Sequence, residues 1–251
     1  MTPTPWIACA HPNPSARLRL FCVPYAGGGE VVFRTWWQAL PADIEVCAVR
    51  LPGRDGRRSE PLISRLTPLV HALADGLGPQ LAQPYALYGH SMGARVAYEL
   101  AREQRRRGRP EPALLIVSGR RAPHLRDPDP MHQLATPQLI ERMRRLGGTP
   151  EAVLREPELM ELLLPVVRAD LAVNEVESHR PEPPLACPIV AFGGAIDERC
   201  RPDELEPWRD HTRSAFTHQI FPGGHFFLNT ASGELLAALS RALGNATGSG
   251  S

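Results

Sequence analysis

An α/β fold, in which helices cover a mostly parallel sheet, is predicted by three features of the 251-residue sequence. Six short apolar segments stop at Gly or Pro, helix-compatible stretches alternate with them, and this alternation lapses between residues 124 and 184. The segments are RLRLFCVP, IEVCAVRLPG, YALYGH, ALLIVSG, PIVAFGG and HQIFPGG. Continuous apolar runs of this kind suit strands buried on both faces, as in a parallel sheet sandwiched by helices. Stretches 65–77, 94–107 and 233–243 have helical character, which gives the β/α order of an α/β domain.

Between 124 and 184, PQLIERMRRLGG and ELMELLLPVVRADLAVNEVES carry apolar residues at helical spacing, and no strand candidate intervenes. This segment reads as a helical insertion, bounded by the proline-dense HLRDPDP and HRPEPPLACP, which favour extended connections. The expected organisation is a core of residues 1–123 and 185–244, the insertion at 124–184, and a flexible tail at 245–251, whose GNATGSGS-like composition is polar and small.

Composition removes several function classes. The chain is 43% hydrophobic and 22% charged with a formal charge of +1, ordinary for a globular protein, and has no stretch of 18 apolar residues to cross a bilayer. Its start lacks a basic region followed by an apolar one, so a secretory signal is not expected and the cytosol is the default compartment. All 28 basic residues are Arg. With 27 Pro and 21 Gly this looks like coding bias rather than phosphate recognition, and the Arg105–Arg107 run reads as a solvated helix end rather than a nucleic-acid patch. Five cysteines at 9, 22, 47, 187 and 200 form no C-x-x-C pair, which argues for reduced, mostly structural thiols and against a zinc cluster.

The chemistry is carried by ALYGHSMGARVAYEL, residues 86–100. A chain that leaves a strand at Tyr88 and enters a helix near Met92 must turn sharply at Ser91, and Gly89 and Gly93 give it room. This is the physical content of the G-x-S-x-G nucleophile elbow of α/β-hydrolases, which raises the serine Oγ at the carboxyl end of the sheet beside a helix N-terminus. A serine hydroxyl needs a base, and the base needs an orienting acid. In this architecture the order along the chain is Ser, acid, His. His225, on the Gly-rich loop FPGGHFF after the last strand candidate, is the base on that rule. Asp197 emerges after PIVAFGG and is the leading acid, with Asp203 and Asp210 as competitors in DELEPWRD, which reads as a solvent-facing helix. His90 sits beside the serine but points along the elbow, and is read as a packing residue. Oxyanion donors are expected from the backbone amides of Met92 and Ala26, the latter in VPYAGGGE with Gly27 behind it.

Taken together, FCVPYAGGG, VRLPGRDGRRSEP, YGHSMGARVAYELA, LIVSGRRAP, LGGTP, ELMELLLPVVRADLAV, PIVAFGGAID and FPGGHFFL resemble, in this order, the type II thioesterases, free-standing editing hydrolases of polyketide and nonribosomal peptide synthetases. The resemblance implies Ser91 as nucleophile, Asp197 as acid, His225 as base, and the Ala26 and Met92 amides as oxyanion hole. It implies that the insertion is a lid over an acyl chamber, that the substrate arrives on the phosphopantetheine arm of an acyl or peptidyl carrier protein, and that no cofactor or metal is needed. Asp55, where family members often carry Gly, is a departure that affects local loop shape. In thioesterase domains fused to synthetase ends the acid often follows the strand after the elbow; here that strand ends in Ser118-Gly119, and the later Asp197 agrees with the free-standing type.

Two further readings stand beside this one: a small-ester carboxylesterase or lipase on the same fold, and a catalytically silent scaffold that binds acyl carriers. Arg120 and Arg121, placed after a central strand and before the lid, are expected either to dock an acidic carrier protein or to pair with acidic lid residues and anchor the insertion.

Overall fold

Helix α2 (Met92–Arg106) runs along the centre of the molecule with most of its residues buried, and the rest of the fold is arranged around it. The computed structural model describes residues 4–248. The central sheet contains β1 (Ile7–Ala8), β2 (Leu18–Val23), β3 (Ile44–Val49), β4 (Tyr85–His90), β5 (Leu114–Ser118), β6 (Ile189–Gly194) and β7 (Phe216–Phe221). Their order across the sheet is β1-β3-β2-β4-β5-β6-β7. Every pairing is parallel except that of β1 with β3. The six predicted strands are all present. The edge strand β1 is an addition, two residues long and without an apolar run to mark it.

Burial follows the predicted pattern. Strands β3, β4 and β5 are buried at every position, as expected for strands covered on both faces. One apolar layer packs α1 (Leu66–Leu77) and α2 against the sheet through Leu73, Val96 and Leu100, while the opposite layer seats the short α6 (Phe227–Thr230) through Leu228 and α7 (Ser232–Gly248) through Leu235, Leu239 and Leu243. Helix α7 continues through 245–248, so the expected tail begins later than residue 245; the remaining part of that expectation, 249–251, lies outside the described residues. DELEPWRD is not a solvent-facing helix. It forms two 3-10 turns (Pro202–Glu204 and Glu206–His211) that bury Leu205 and Trp208, and the prolines at 202 and 207 favour such short turns over a continuous helix.

Between β5 and β6 lie α3 (Thr136–Leu146), α4 (Glu151–Leu154) and α5 (Pro157–Glu175). They have a small core of their own, with Met131, Leu139, Met143, Leu154, Met160, Val167 and Leu171, against which Ala26 of the main domain packs. Polar contacts secure this insertion. Asp170 of α5 is buried and takes a bidentate ion pair from Arg54, with contacts of 2.5 and 2.7 Å. Arg199 donates to the Asp129 carbonyl and to the Asp127 carboxylate, both at 2.6 Å.

Arg120 and Arg121 are 7% and 5% exposed, which removes them from a docking surface. Arg120 lies 3.7 Å from Asp127 of the insertion and Arg121 donates to the Arg126 carbonyl there, so the anchoring alternative fits the geometry, although the carboxylate that Arg121 pairs with, Glu204 at 3.2 Å, lies outside the insertion. Burial pushes Arg120 down to about 10. The Arg105–Arg107 run is likewise engaged internally, with Glu182, Glu103 and Asp75.

Three histidines meet where the insertion joins the core. His124 Nδ1 lies 2.8 Å from His211 Nε2, His211 Nδ1 lies 2.9 Å from the Tyr98 hydroxyl, and the His179 ring packs edge-on against His211. Burial, and then neighbouring positive charge, pushes His211 down to about 3 and His179 down to about 4.

Two outcomes are expected. Asp170→Ala leaves the Arg54 guanidinium buried without its partner and should lower unfolding free energy by ~3–5 kcal/mol in a denaturant titration; a change under about 1 kcal/mol would contradict the account. For His179 and His211, the unfolded chain gains protons below about pH 6.5 while the folded chain resists protonation at both rings. Their contribution is therefore fully present above pH 6.5 and lost as pH falls through about 4 and about 3. Denaturation midpoints should fall over that range, and His211→Gln should flatten the slope.

Candidate active site

The turn from β4 into α2 places Ser91 at φ 54°, ψ −116°, a conformation that side-chain-bearing residues rarely adopt. The Ser91 amide is held by the Ser118 carbonyl at 2.7 Å. The flanking glycines are needed because backbones cross here: a Cβ on Gly93 would lie 2.2 Å from the Val23 carbonyl oxygen, and one on Gly89 would lie 2.1 Å from that of Gly93. Only hydrogen atoms fit at either position.

Ser91, Asp197 and His225 come together from three separate loops. His225 Nε2 is 2.9 Å from Ser91 Oγ, and His225 Nδ1 is 2.9 and 3.0 Å from the two carboxylate oxygens of Asp197. A carboxylate can only accept, so Nδ1 carries the ring proton and Nε2 presents its lone pair to the serine hydroxyl. Asp197 is 2% exposed, and its Oδ1 also accepts the amides of Arg199 (2.8 Å) and Cys200 (3.2 Å). The loops bearing Asp197 and His225 are fastened together by the Ile196 amide, which donates to the Gly223 carbonyl. The competing carboxylates are elsewhere: Asp203 is exposed and paired with Arg201, and Asp210 is exposed.

His90 is fully buried, with Nδ1 2.9 Å from Ser118 Oγ and its ring 5.2 Å from that of His225. Burial, and then the neighbouring His225, drives its pKa well below the usual histidine range, which keeps it neutral. It packs beside the His225 ring, in keeping with its reading as a packing residue.

Ala26 follows β2 and lines the same cavity as Ser91 and His225. Met92 opens α2, where amides have no acceptor within the helix. Among the described residues neither amide donates to another protein group, so both are free to bind an oxyanion. The loop is clamped from beneath. Gly27, at φ 78°, donates its amide to Asp170 Oδ2 at 2.8 Å, and the Gly28 carbonyl accepts from Arg54 at 3.1 Å. Asp55 adopts φ 47°, which explains why glycine suits that position. Its carboxylate accepts the Glu30 amide at 3.0 Å and so steadies the far end of the same loop.

Arg54 and Asp170 were not anticipated as site residues. A signal was present in α5, where Asp170 lies three residues after Val167 and four before Asn174, a carboxylate on the buried stripe of the helix. Nothing local pointed to Arg54 as its partner.

The relay opens into a cavity of about 270 Å³ beneath the insertion, with apolar walls from Met131, Met143, Leu146, Val153, Leu163 and Val167. Phe226, next to His225, lines one side. The arrangement provides an activated hydroxyl, two free amides and an apolar space for a chain attached to the reacting carbonyl. These are the requirements of acyl transfer.

Comparison with known proteins agrees with this chemistry. The thioesterase domain family matches residues 18–243. Gramicidin S biosynthesis protein GrsT of Aneurinibacillus migulanus is 41% identical, over 95% of this chain and 93% of its own. Among solved structures, the thioesterase RedJ from the prodiginine biosynthetic pathway of Streptomyces coelicolor is 44% identical with a TM-score of 0.87, covering 91% of this chain and 86% of that one. The type II thioesterase BorB from the borrelidin biosynthetic cluster is 37% identical with a TM-score of 0.86, covering 95% and 97%. On the extent of the family match and the similarity to these relatives along nearly their whole lengths, the chain belongs to the thioesterase family, among the type II thioesterases.

Proposed function

We propose that the protein removes acyl groups from the phosphopantetheine arms of carrier proteins in polyketide or nonribosomal peptide biosynthesis, clearing aberrant or stalled units through an acyl-Ser91 intermediate. The single observation that carries this reading is the Ser91–His225–Asp197 relay at the floor of an apolar chamber roofed by the helical insertion. The biosynthetic settings of GrsT, RedJ and BorB support the substrate class. No helix of the described residues is long and apolar enough to cross a membrane, and a cytosolic setting belongs to the proposal.

In the proposed reaction Ser91 Oγ attacks the thioester carbonyl while His225 Nε2 takes its proton. The Asp197 carboxylate holds the ring in the required tautomer and stabilises the imidazolium. The tetrahedral oxyanion forms against the Ala26 and Met92 amides, at the positive end of α2. Collapse expels the carrier's thiol, a good leaving group because free thiols ionise near pH ~8.5, with His225 returning the proton. Water then attacks the acyl-Ser91 ester with the same histidine as base, which releases the acid and restores the serine. The arrangement calls for neither cofactor nor metal.

Ser91→Ala is expected to lower thioester hydrolysis by at least ~10³-fold with the fold intact by circular dichroism. Substantial residual turnover would remove Ser91 as nucleophile. Asp197→Asn should lower kcat by up to ~10⁴, since an amide can donate to Nδ1 and so favours the wrong tautomer. Substrate class is tested by comparing one acyl group on a carrier-borne phosphopantetheine with the same group as a simple ester. A higher kcat/KM for the carrier-borne thioester supports the proposal, whereas preference for the ester would make the protein a carboxylesterase.

A further inference from the structure

The two sulfurs of Cys9 and Cys47 lie 2.8 Å apart, on the face of the sheet that packs against α1 and far from the relay in sequence. Their placement follows from strand register. Ile7 pairs with Val49 and Ala8 with Ala48, so the next antiparallel pair is Cys9 opposite Cys47. The Arg50 amide bonds to the Trp6 carbonyl, which makes residues 6 and 50 a hydrogen-bonded pair. Pairs alternate in type along an antiparallel ladder, so Cys9 and Cys47 occupy a non-hydrogen-bonded position. There the Cα atoms approach to about 4.5 Å and side chains on one face come closest, within the span that a disulfide bridges.

The two thiols differ in access. Cys47 is fully buried, whereas Cys9 is half-buried, one residue beyond the edge strand. The contact with Cys9, followed by burial, pushes the Cys47 thiol up, so Cys47 is a poor first nucleophile. Glu45 lies close enough to complete a three-ligand cluster with the two sulfurs. Its carboxylate is already committed, however: Oε1 accepts the Asn13 amide at 2.9 Å and Oε2 accepts from Arg19 at 2.7 Å. A metal would have to displace both, which favours sulfur–sulfur chemistry at this site.

We propose that Cys9 and Cys47 form a reversible oxidation site that closes to a cross-strand disulfide when the protein meets a low-molecular-weight disulfide. Cys9, as thiolate, attacks one sulfur of the small disulfide, forming a mixed disulfide and expelling one small thiolate, which is protonated. Cys47 then gives up its proton, attacks Cys9 Sγ and expels the second small thiol. In total two protein thiols are oxidised to one disulfide and one small disulfide is reduced to two thiols. The bond fastens the N-terminal strand to β3 and closes a loop across 38 positions of sequence. It should stabilise the fold without disturbing the relay, whose cavity neither cysteine lines.

The test uses the full-length protein, oxidised with excess glutathione disulfide, alkylated and digested with trypsin without reduction. Cleavage after arginine leaves Cys9 in residues 1–17 and Cys47 in residues 35–50, each as the sole cysteine of its peptide. The expected product is these two peptides joined, 2 Da lighter than their sum, with Tm raised by roughly 5–10 °C. Thioester hydrolysis should remain within about twofold, and dithiothreitol should reverse the Tm shift. Cys9→Ser should abolish both the crosslink and the shift, and its unshifted Tm under reduction would show that the variant folds. Recovery of both peptides alkylated, or of Cys9 carrying glutathione with Cys47 free, would overturn the proposal.

Discussion

The crossing of the β4–α2 turn over the end of β2 is the constraint on which the rest of the structure depends. Helix α2 can lie against the sheet only because Gly93 passes the Val23 carbonyl with no side chain and Gly89 passes Gly93 in the same way. Any larger residue would lift the helix away and open the apolar layer that includes Val96, Ala97, Leu100 and Ala101. The same close approach holds Ser91 in a backbone conformation that costs of order 1–3 kcal/mol and is sustained by the surrounding packing. Strain at one residue thus positions both the serine hydroxyl and the first amides of the helix.

A second device links the chamber roof to the reaction centre. Asp170 belongs to the insertion and Arg54 to the loop after β3, yet together they grip the backbone of Gly27 and Gly28 next to Ala26. The loop that carries Ala26 is therefore tied directly to α5. A buried ion pair contributes modestly to net stability, since desolvating two charges offsets much of their attraction. Its value lies in geometry. A bidentate guanidinium–carboxylate contact fixes direction as well as distance, so the roof and the floor of the chamber share one reference point.

Much of this was legible in the sequence because it is written locally. Strands buried on both faces appear as unbroken apolar runs, and the elbow appears as glycines spaced around a serine between a strand and a helix. Asp197 and His225 could be expected beside Ser91 because loop ends in this fold follow chain order, and the three side chains do meet. What could not be read is long-range: Arg54 and Asp170 are 116 residues apart, and no local pattern says that they meet. Arg120 and Arg121 resemble surface charges in sequence, whereas both are buried: Trp208 Nε1 donates to the Arg120 carbonyl, the Arg120 guanidinium faces Asp127, and Arg121 pairs with Glu204. Strand β1 leaves no mark in the sequence for a simpler reason: two residues at a sheet edge need no apolar run.

The central claim is that one hydroxyl, Ser91 Oγ, carries the acyl group. It is tested most directly by labelling the protein with a fluorophosphonate and mapping the adduct after tryptic digestion. Ser91 is the sole serine in the peptide spanning residues 66–95, so assignment is unambiguous. The account predicts one label per chain, on that peptide, with activity lost in proportion to labelling and with protection by an acyl thioester. A label on a different peptide, or full thioesterase activity in protein labelled at Ser91, would contradict it.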